Sequence, residues 1–247
     1  MRSLDLNADV GEVDPLIDAE LIPLLTSASI ACGGHAGDLE SMRRTVLLAQ
    51  RHGVQVGAHP GYSDREHFGR RPLSLPAAQV VDLIRSQIAV LDEIAVAQGS
   101  ILRHVKPHGA LYNQAELDLE LAAAIVSAVA GYPRPLVLYG RAGSAMERAA
   151  RRANAAFKAE AFADRRYRAD GSLLPRSHPG AVIESPDEVA DQVRRLCTQG
   201  EVLADDGVRV AVTFETLCVH SDTPGAPALG RRVRDELEAI GLLVRPL

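Results

Sequence analysis

Residues 105–113 read Val-Lys-Pro-His-Gly-Ala-Leu-Tyr-Asn, so an extended run ends in a lysine and a histidine before Pro107 and Gly109 force a turn. Side chains two apart on a strand share a face, which points His104, Lys106 and His108 the same way. Three ionisable groups on one face are costly to bury without partners, and the stretch reads as the floor of an active site. Lysine is scarce here. Of 27 basic residues only Lys106 and Lys158 are lysine. A lysine in such a chain suits a role that needs a compact ammonium of tunable pKa, while compositional bias is the plainer account of the arginine excess.

Reactive types recur at the ends of the other extended segments: Asp9 and Glu12, His35 and Asp38, His59, Glu160 and Asp164, and His220 and Asp222. Two chemistries are open. Asp9, His35 and His59 offer a carboxylate and two imidazoles, a donor set for a divalent metal such as Zn, Fe or Mn, though no HExxH or similar local spacing accompanies them. Without a metal, Lys106 stabilises a developing anion while Asp9, His108 or Glu160 moves protons. Lys158 and Glu160 share a strand face and alternatively form a buried structural ion pair. Arg65, Arg70, Arg71, Arg165 and Arg166 lie in two long loops, where they either clamp a carboxylate or phosphate or remain solvated. Cys32 is a candidate nucleophile, although small buried cysteines are commoner. Walker A, GxGxxG and GxSxG patterns are missing, and Ser221 is a chain neighbour of His220 and Asp222, which gives no triad geometry.

The elements that must position these groups follow from periodicity. Leu4, Leu6 and Ala8 alternate with Asp5, Asn7 and Asp9, which is strand patterning. A short helix ending near Pro23 precedes a strand at 27–32. Asp38 caps a helix running to His52, a strand follows at 54–59, and 60–73 is a loop too rich in Gly, Pro and charge for the core. Ser74 and Pro76 open a long helix carrying Val80, Val81, Ile84, Ile88 and Leu91, and the strand from Ile101 leads into the lysine–histidine stretch. Further on come a helix at 117–130, a strand at 135–139, a helix opened by a capping box at Ser144, and a strand at 157–162. A second long loop spans 163–179, a helix opens at Ser185-Pro186, a strand runs over 208–219, and Val233, Leu237 and Ile240 mark a last helix.

Seven strands separated by helices imply parallel strands, in an open sheet or a closed barrel. In an open sheet both strand faces are apolar. Here Asp5/Asn7/Asp9, Gln55/His59, His104/Lys106/His108 and Lys158/Glu160 each occupy one parity, which favours a single α/β domain over 1–247 closed as a barrel with a polar interior. Length agrees, since barrels of about 250 residues are common. A net charge of −5 argues against nucleic acid or an anionic membrane as partner. No apolar run approaches the roughly 20 residues of a membrane span. The start, Met1-Arg2-Ser3-Leu4-Asp5, turns acidic at once, and three scattered cysteines form no CxxC pair; a cytoplasmic protein is expected.

Six motifs together resemble the LamB/YcsF family: DLNADVGE (5–12), ACGGHAGD (31–38), GAHPGY (57–62), VKPHGALYN (105–113), EAFADRRY (160–167) and CVHSD (218–222). They run in order over nearly the whole chain. The resemblance implies a (β/α)7 barrel akin to the glycoside hydrolase and polysaccharide deacetylase barrels. It implies ring opening of 5-oxoproline to glutamate, with ATP as co-substrate, in a 5-oxoprolinase that has partner subunits B and C. The deacetylases' metal ligands do not carry over, because no HxxxH follows the third strand. The catalytic candidates are then Asp9, Lys106, His108, Glu160 and His59, and the substrate-binding candidates Asn7, His35, Arg70, Tyr112, Asp164 and His220. Two other classes compete: a metal-dependent amidohydrolase or carbohydrate deacetylase acting alone, and a lactam-binding, transport-associated protein.

Overall fold

A computed structural model describes residues 3–246. Met1 and Arg2, part of the expectation about the chain's start, and Leu247 lie outside them. Seven parallel strands close into a barrel. β1 (Ser3–Val10), β2 (Ser27–Ala31), β3 (Gln55–His59), β4 (Leu102–Val105), β5 (Val137–Arg141) and β6 (Phe157–Phe162) pair in sequence, and the barrel strand that follows residue 215 closes the ring by pairing with both β6 and β1. The closure is the expected (β/α)7 arrangement, and it explains the parity pattern. Leu4, Leu6 and Ala8 pack outward under helices, while Asp5, Asn7 and Asp9 point into the ring, and all six are buried.

The helices form because their apolar stripes must cover the barrel. α1 (Pro15–Leu21) and α2 (Leu39–Arg51) flank β2, and Asp38 caps α2 in a reciprocal box with Ser41. α3 (Ala77–Ala97) buries Val80, Ile84, Ile88 and Leu91 at helical spacing, each contributing on the order of 1.5–3 kcal/mol by leaving water. α4 (Gly109–Ala115), α5 (Leu119–Ala130), α6 (Ala145–Arg152) and α7 (Pro186–Gln199) complete the coat before the closing strand. Ser144 and Ser185 accept from the backbone N–H of Glu147 and Glu188, as the capping signals require.

Four expectations need correction. The strand read over 208–219 is two strands: β8 (Arg209–Ala211) pairs antiparallel with β7 (Glu201–Leu203) in a separate hairpin, and β9 (Thr216–His220) is the seventh barrel strand. The break falls at Glu215, whose carboxylate takes the Lys158 ammonium at 2.6 Å and the Ala159 N–H. Lys158 therefore pairs with Glu215 and not with Glu160. The turn at 107–109 opens directly into α4, with His108 in its N-cap position. The loop 60–73 is not wholly peripheral, because Tyr62 is fully buried. The last helix, α8 (Ala226–Ala239), leads to β10 (Leu243–Val244), a short strand added beside β1. Among the described residues no helix is long and apolar enough to cross a membrane.

Candidate active site

The barrel interior is stacked polar layer on polar layer. At its base the Asp5 carboxylate accepts hydrogen bonds from Thr26, Ser27, Thr216 and Tyr139. Burial raises its pKa, and those hydroxyls only partly offset the rise. Above it the His104 ring lies across Gly57, bonds Ser29 Oγ at 3.1 Å and stacks on Tyr139. A Cβ at residue 57 would stand 2.3 Å from that ring, so only glycine lets the imidazole fill the barrel there.

The third layer holds the lysine. Lys106 Nζ lies 2.9 Å from Asp9 Oδ1, 2.8 Å from Glu160 Oε1 and 3.0 Å from Cys218 Sγ. Burial alone would lower its pKa, but Asp9, Cys218 and Glu160 reverse that and hold the ammonium well above its usual range. Burial pushes Asp9 up, yet His59, Lys106 and His220 bring its carboxyl down to about 2. Glu160 is raised, because burial outweighs Lys106. Asn7 donates to Glu160 and to Thr216 from below. Asn7 and Glu160 are completely buried, so Glu160 holds Lys106 from behind and Asn7 reaches it only through Glu160.

At the mouth, His35, His59 and His108 gather around Glu12. His35 Nε2 lies 2.8 Å from Glu12 Oε1, and the His35 and His108 rings stack at 3.5 Å. Burial keeps His59 neutral, its pKa brought down to about 3. Phe68 sits beside these rings in the left-handed region (φ 54), a conformation that is costly for a bulky residue, and its carbonyl faces His108. Gly69 follows at φ 63, where a Cβ would meet His35 at 2.7 Å. Across the mouth, Asp164 accepts from His220 Nδ1 at 2.8 Å, from the His220 N–H and from Thr223. Against the burial that would raise it, His220 and these hydrogen bonds hold Asp164 well below the carboxylate range. The free Nε2 of His220 faces Asp9 Oδ2 at 3.9 Å.

A cavity of about 490 Å³ opens on these groups. Asp9, His59, Lys106, His108 and His220 line its floor; Tyr112, Phe162 and Pro107 form its walls. Its rim carries Arg70 and Arg176, both paired with Asp222. Arg165 is also present, but its guanidinium is committed to the carbonyls of Leu174 and Ala181.

Most residues singled out from sequence thus converge, with differences in detail. Asp38 is a helix cap, not a site residue. Cys32 donates to the Ile30 carbonyl, and burial pushes its thiol up to about 12, which removes it as a nucleophile. Arg65 binds the carbonyls of Gly33 and Gly37, and Arg71 and Arg166 pair with Asp64 and Glu188. The metal candidates separate: His35 and His59 group with Glu12 and His108, whereas Asp9 groups with Cys218 and His220. Glu12, a strand-end carboxylate in the sequence, reaches the histidines from beyond Gly11, whose φ of 72 ends the strand alternation. Arg176 carried no periodic signal at all.

Comparisons with known proteins agree on the family and the fold. The sequence profile of the LamB/YcsF family matches residues 4–247. A protein of Symbiobacterium thermophilum, named as the A subunit of 5-oxoprolinase, is 50% identical over 248 residues, covering 99% of this chain and 95% of its own. Its namesake in Methylococcus capsulatus is 48% identical over 250 residues, covering 100% and 96%. The crystal structure of a lactam utilization protein from Thermus thermophilus superposes with a TM-score of 0.91 at 43% identity, covering 99% of this chain and all of that one. A family 4 carbohydrate esterase from Streptomyces lividans, 15% identical with a TM-score of 0.50 over 98% and 91% of the two chains, shares the fold alone.

Proposed function

The chain belongs to the LamB/YcsF family, and on that premise we propose that it is the A subunit of an ATP-dependent 5-oxoprolinase, a hydrolase opening the lactam of 5-oxoproline to L-glutamate. The observation that carries this reading is the Lys106 ammonium, held between Asp9 and Glu160 at the floor of a cavity with a cationic rim. A five-membered lactam is a stable amide. Transfer of the γ-phosphoryl group of ATP to its carbonyl oxygen, with ADP leaving, makes the carbon open to water. C–N cleavage of the adduct leaves an acyl phosphate, which a second water hydrolyses to glutamate and inorganic phosphate. Lys106 is the group suited to stabilise the negative charge on those oxygens.

Proton traffic falls to His220. Asp9, with its carboxyl near 2, is a weak base and serves instead to hold Lys106 and to orient water. His220 is fixed by Asp164 in the tautomer that leaves Nε2 open toward Asp9. It takes a proton from the attacking water and returns one to the ring nitrogen as the C–N bond breaks. His108 is less free, since its two nitrogens already face Phe68 O and the His59–Glu12 pair. Arg70 and Arg176 suit the substrate carboxylate, with Tyr112 and Phe162 against the ring.

A cavity of about 490 Å³ suits 5-oxoproline, and the chain has no P-loop for the nucleotide. ATP is therefore assigned to a site shared with partner subunits B and C, a role supported by the relatives being named as one subunit of an enzyme. ATP as co-substrate fits a cytoplasmic location. The test is to mix the purified chain with candidate B and C subunits and follow glutamate and ADP from 5-oxoproline. Coupled formation of both is expected. Glutamate formed by the chain alone without ATP would replace this reading with an independent amidohydrolase.

A further inference from the structure

Hydrogen-bond direction fixes the protons on two of the clustered imidazoles. His59 Nδ1 lies 2.6 Å from the carbonyl of Lys106, and His108 Nε2 lies 2.9 Å from the carbonyl of Phe68. A carbonyl only accepts, so each of these nitrogens carries its ring's hydrogen. With one hydrogen on each ring, bare lone pairs from His59 Nε2 and His108 Nδ1 face each other across 2.9 Å. Glu12 Oε1 stands 3.4 and 3.1 Å from the same two nitrogens. Three acceptors converge on one point, and they repel unless a cation lies among them.

We propose that Glu12, His59 and His108 form a binding site for one divalent first-row transition cation of the zinc type. Two imidazole nitrogens and one carboxylate oxygen are a common donor set for such an ion, and three protein ligands leave a position open. All three line the cavity, so the open position faces it. The surroundings match a metal site as well. Each histidine donates its other N–H to a backbone carbonyl, and His35 faces Glu12 Oε1 at 2.8 Å, which orients the carboxylate. The second cluster, Asp9 with Cys218 and His220, is less suited, because the Lys106 ammonium already lies 3.0 Å from the Cys218 sulfur. The site concerns binding by this chain alone and does not depend on the lactam reading.

The test uses the full chain, stripped with a chelator and passed over a desalting column after Zn²⁺ or Co²⁺ is added back, with no ATP, substrate or other subunit present. One equivalent per chain by atomic spectroscopy is expected, together with a visible cobalt d–d band and a raised melting temperature. His59→Gln and His108→Gln should each weaken retention by more than about 100-fold, beyond the roughly 10–100-fold typical of losing only an outer-shell partner. His52→Ala and His178→Ala, both at exposed positions, should leave it unchanged. If either site variant fails to fold, the wild-type cobalt spectrum still decides, since a thiolate charge-transfer band would put the ion at Cys218 and overturn the assignment. No retained metal in the wild type, leaving a proton between the two rings, would overturn it too. So would undiminished retention in His59→Gln and His108→Gln. Loss of 5-oxoproline turnover in the assembled complex would bear on the lactam reading and not on this one.

Discussion

Lys106 Nζ and Asp9 Oδ1 lie 2.9 Å apart in the middle of the barrel, almost out of reach of solvent. Removing one partner leaves the other charge buried and uncompensated. Lys106→Met should lower turnover by roughly 10²–10³-fold, the range seen when an oxyanion donor is lost. It should also destabilise the fold by about 3–5 kcal/mol. Steady-state glutamate formation in the assembled complex and denaturant unfolding of the chain read the two effects separately. Full activity would remove Lys106 from the mechanism.

His220 depends on Asp164 for its tautomer. Asp164→Asn keeps the shape but can present its amide to Nδ1, turning the proton toward Nε2. We expect kcat to fall by about 10²-fold or more with KM little changed, by analogy with other oriented imidazoles. The double variant with His220→Gln should be little worse than either single one. Additive losses would separate the two residues.

Arg70 and Arg176 converge on Asp222 from the two long loops. If they receive the substrate carboxylate, Arg70→Ala and Arg176→Ala should each raise KM for 5-oxoproline about 10-fold or more, with a smaller change in kcat. The KM for ATP should stay the same. A rise confined to the ATP KM would reassign the rim to the nucleotide.

Acid stability should reflect the buried histidines. Burial, and then Lys106, bring His104 down to about 3, whereas an unfolded imidazole titrates near 6.5. Below about 6.5 the unfolded chain binds the extra proton. The contribution of His104 is therefore fully present above that pH and declines toward pH 3 at up to about 1.4 kcal/mol per unit. His59, also near 3, acts in the same window. Asp9, lowered to about 2, keeps its contribution above about 3.8 and loses it as the pH falls through 2. Urea unfolding at pH 7, 5 and 4 should show the decline, and His104→Gln should make it shallower.

Gly57 leaves room for that ring. Gly57→Ala places a Cβ 2.3 Å from His104 inside a closed barrel, where nothing can move away cheaply. A loss of about 1–3 kcal/mol is expected from overpacking. The combination with His104→Ala should recover part of it, and thermal melts of the three variants check the coupling.

The sequence by itself determined the parallel α/β alternation and the direction of its polar face, and favoured a barrel over an open sheet. Strand side chains alternate with a period of two, so Asp5, Asn7 and Asp9, or His104, Lys106 and His108, could be assigned to one side before any neighbour was known. It also delivered the helix caps at Asp38, Ser144 and Ser185, because capping is local chemistry. Only the tertiary structure decided which groups meet. Lys158 shares a face with Glu160 yet turns to Glu215, because the chain breaks between β8 and β9 at that residue. Glu12, Arg176 and Asp222 reach the cavity from loops that have no period, and their partners are about 20 to 150 residues away. Finally, the lone pairs of His59 and His108 are aimed by backbone carbonyls of Lys106 and Phe68. A carbonyl is common to every residue, so no pattern of side-chain types along the chain could have pointed to it.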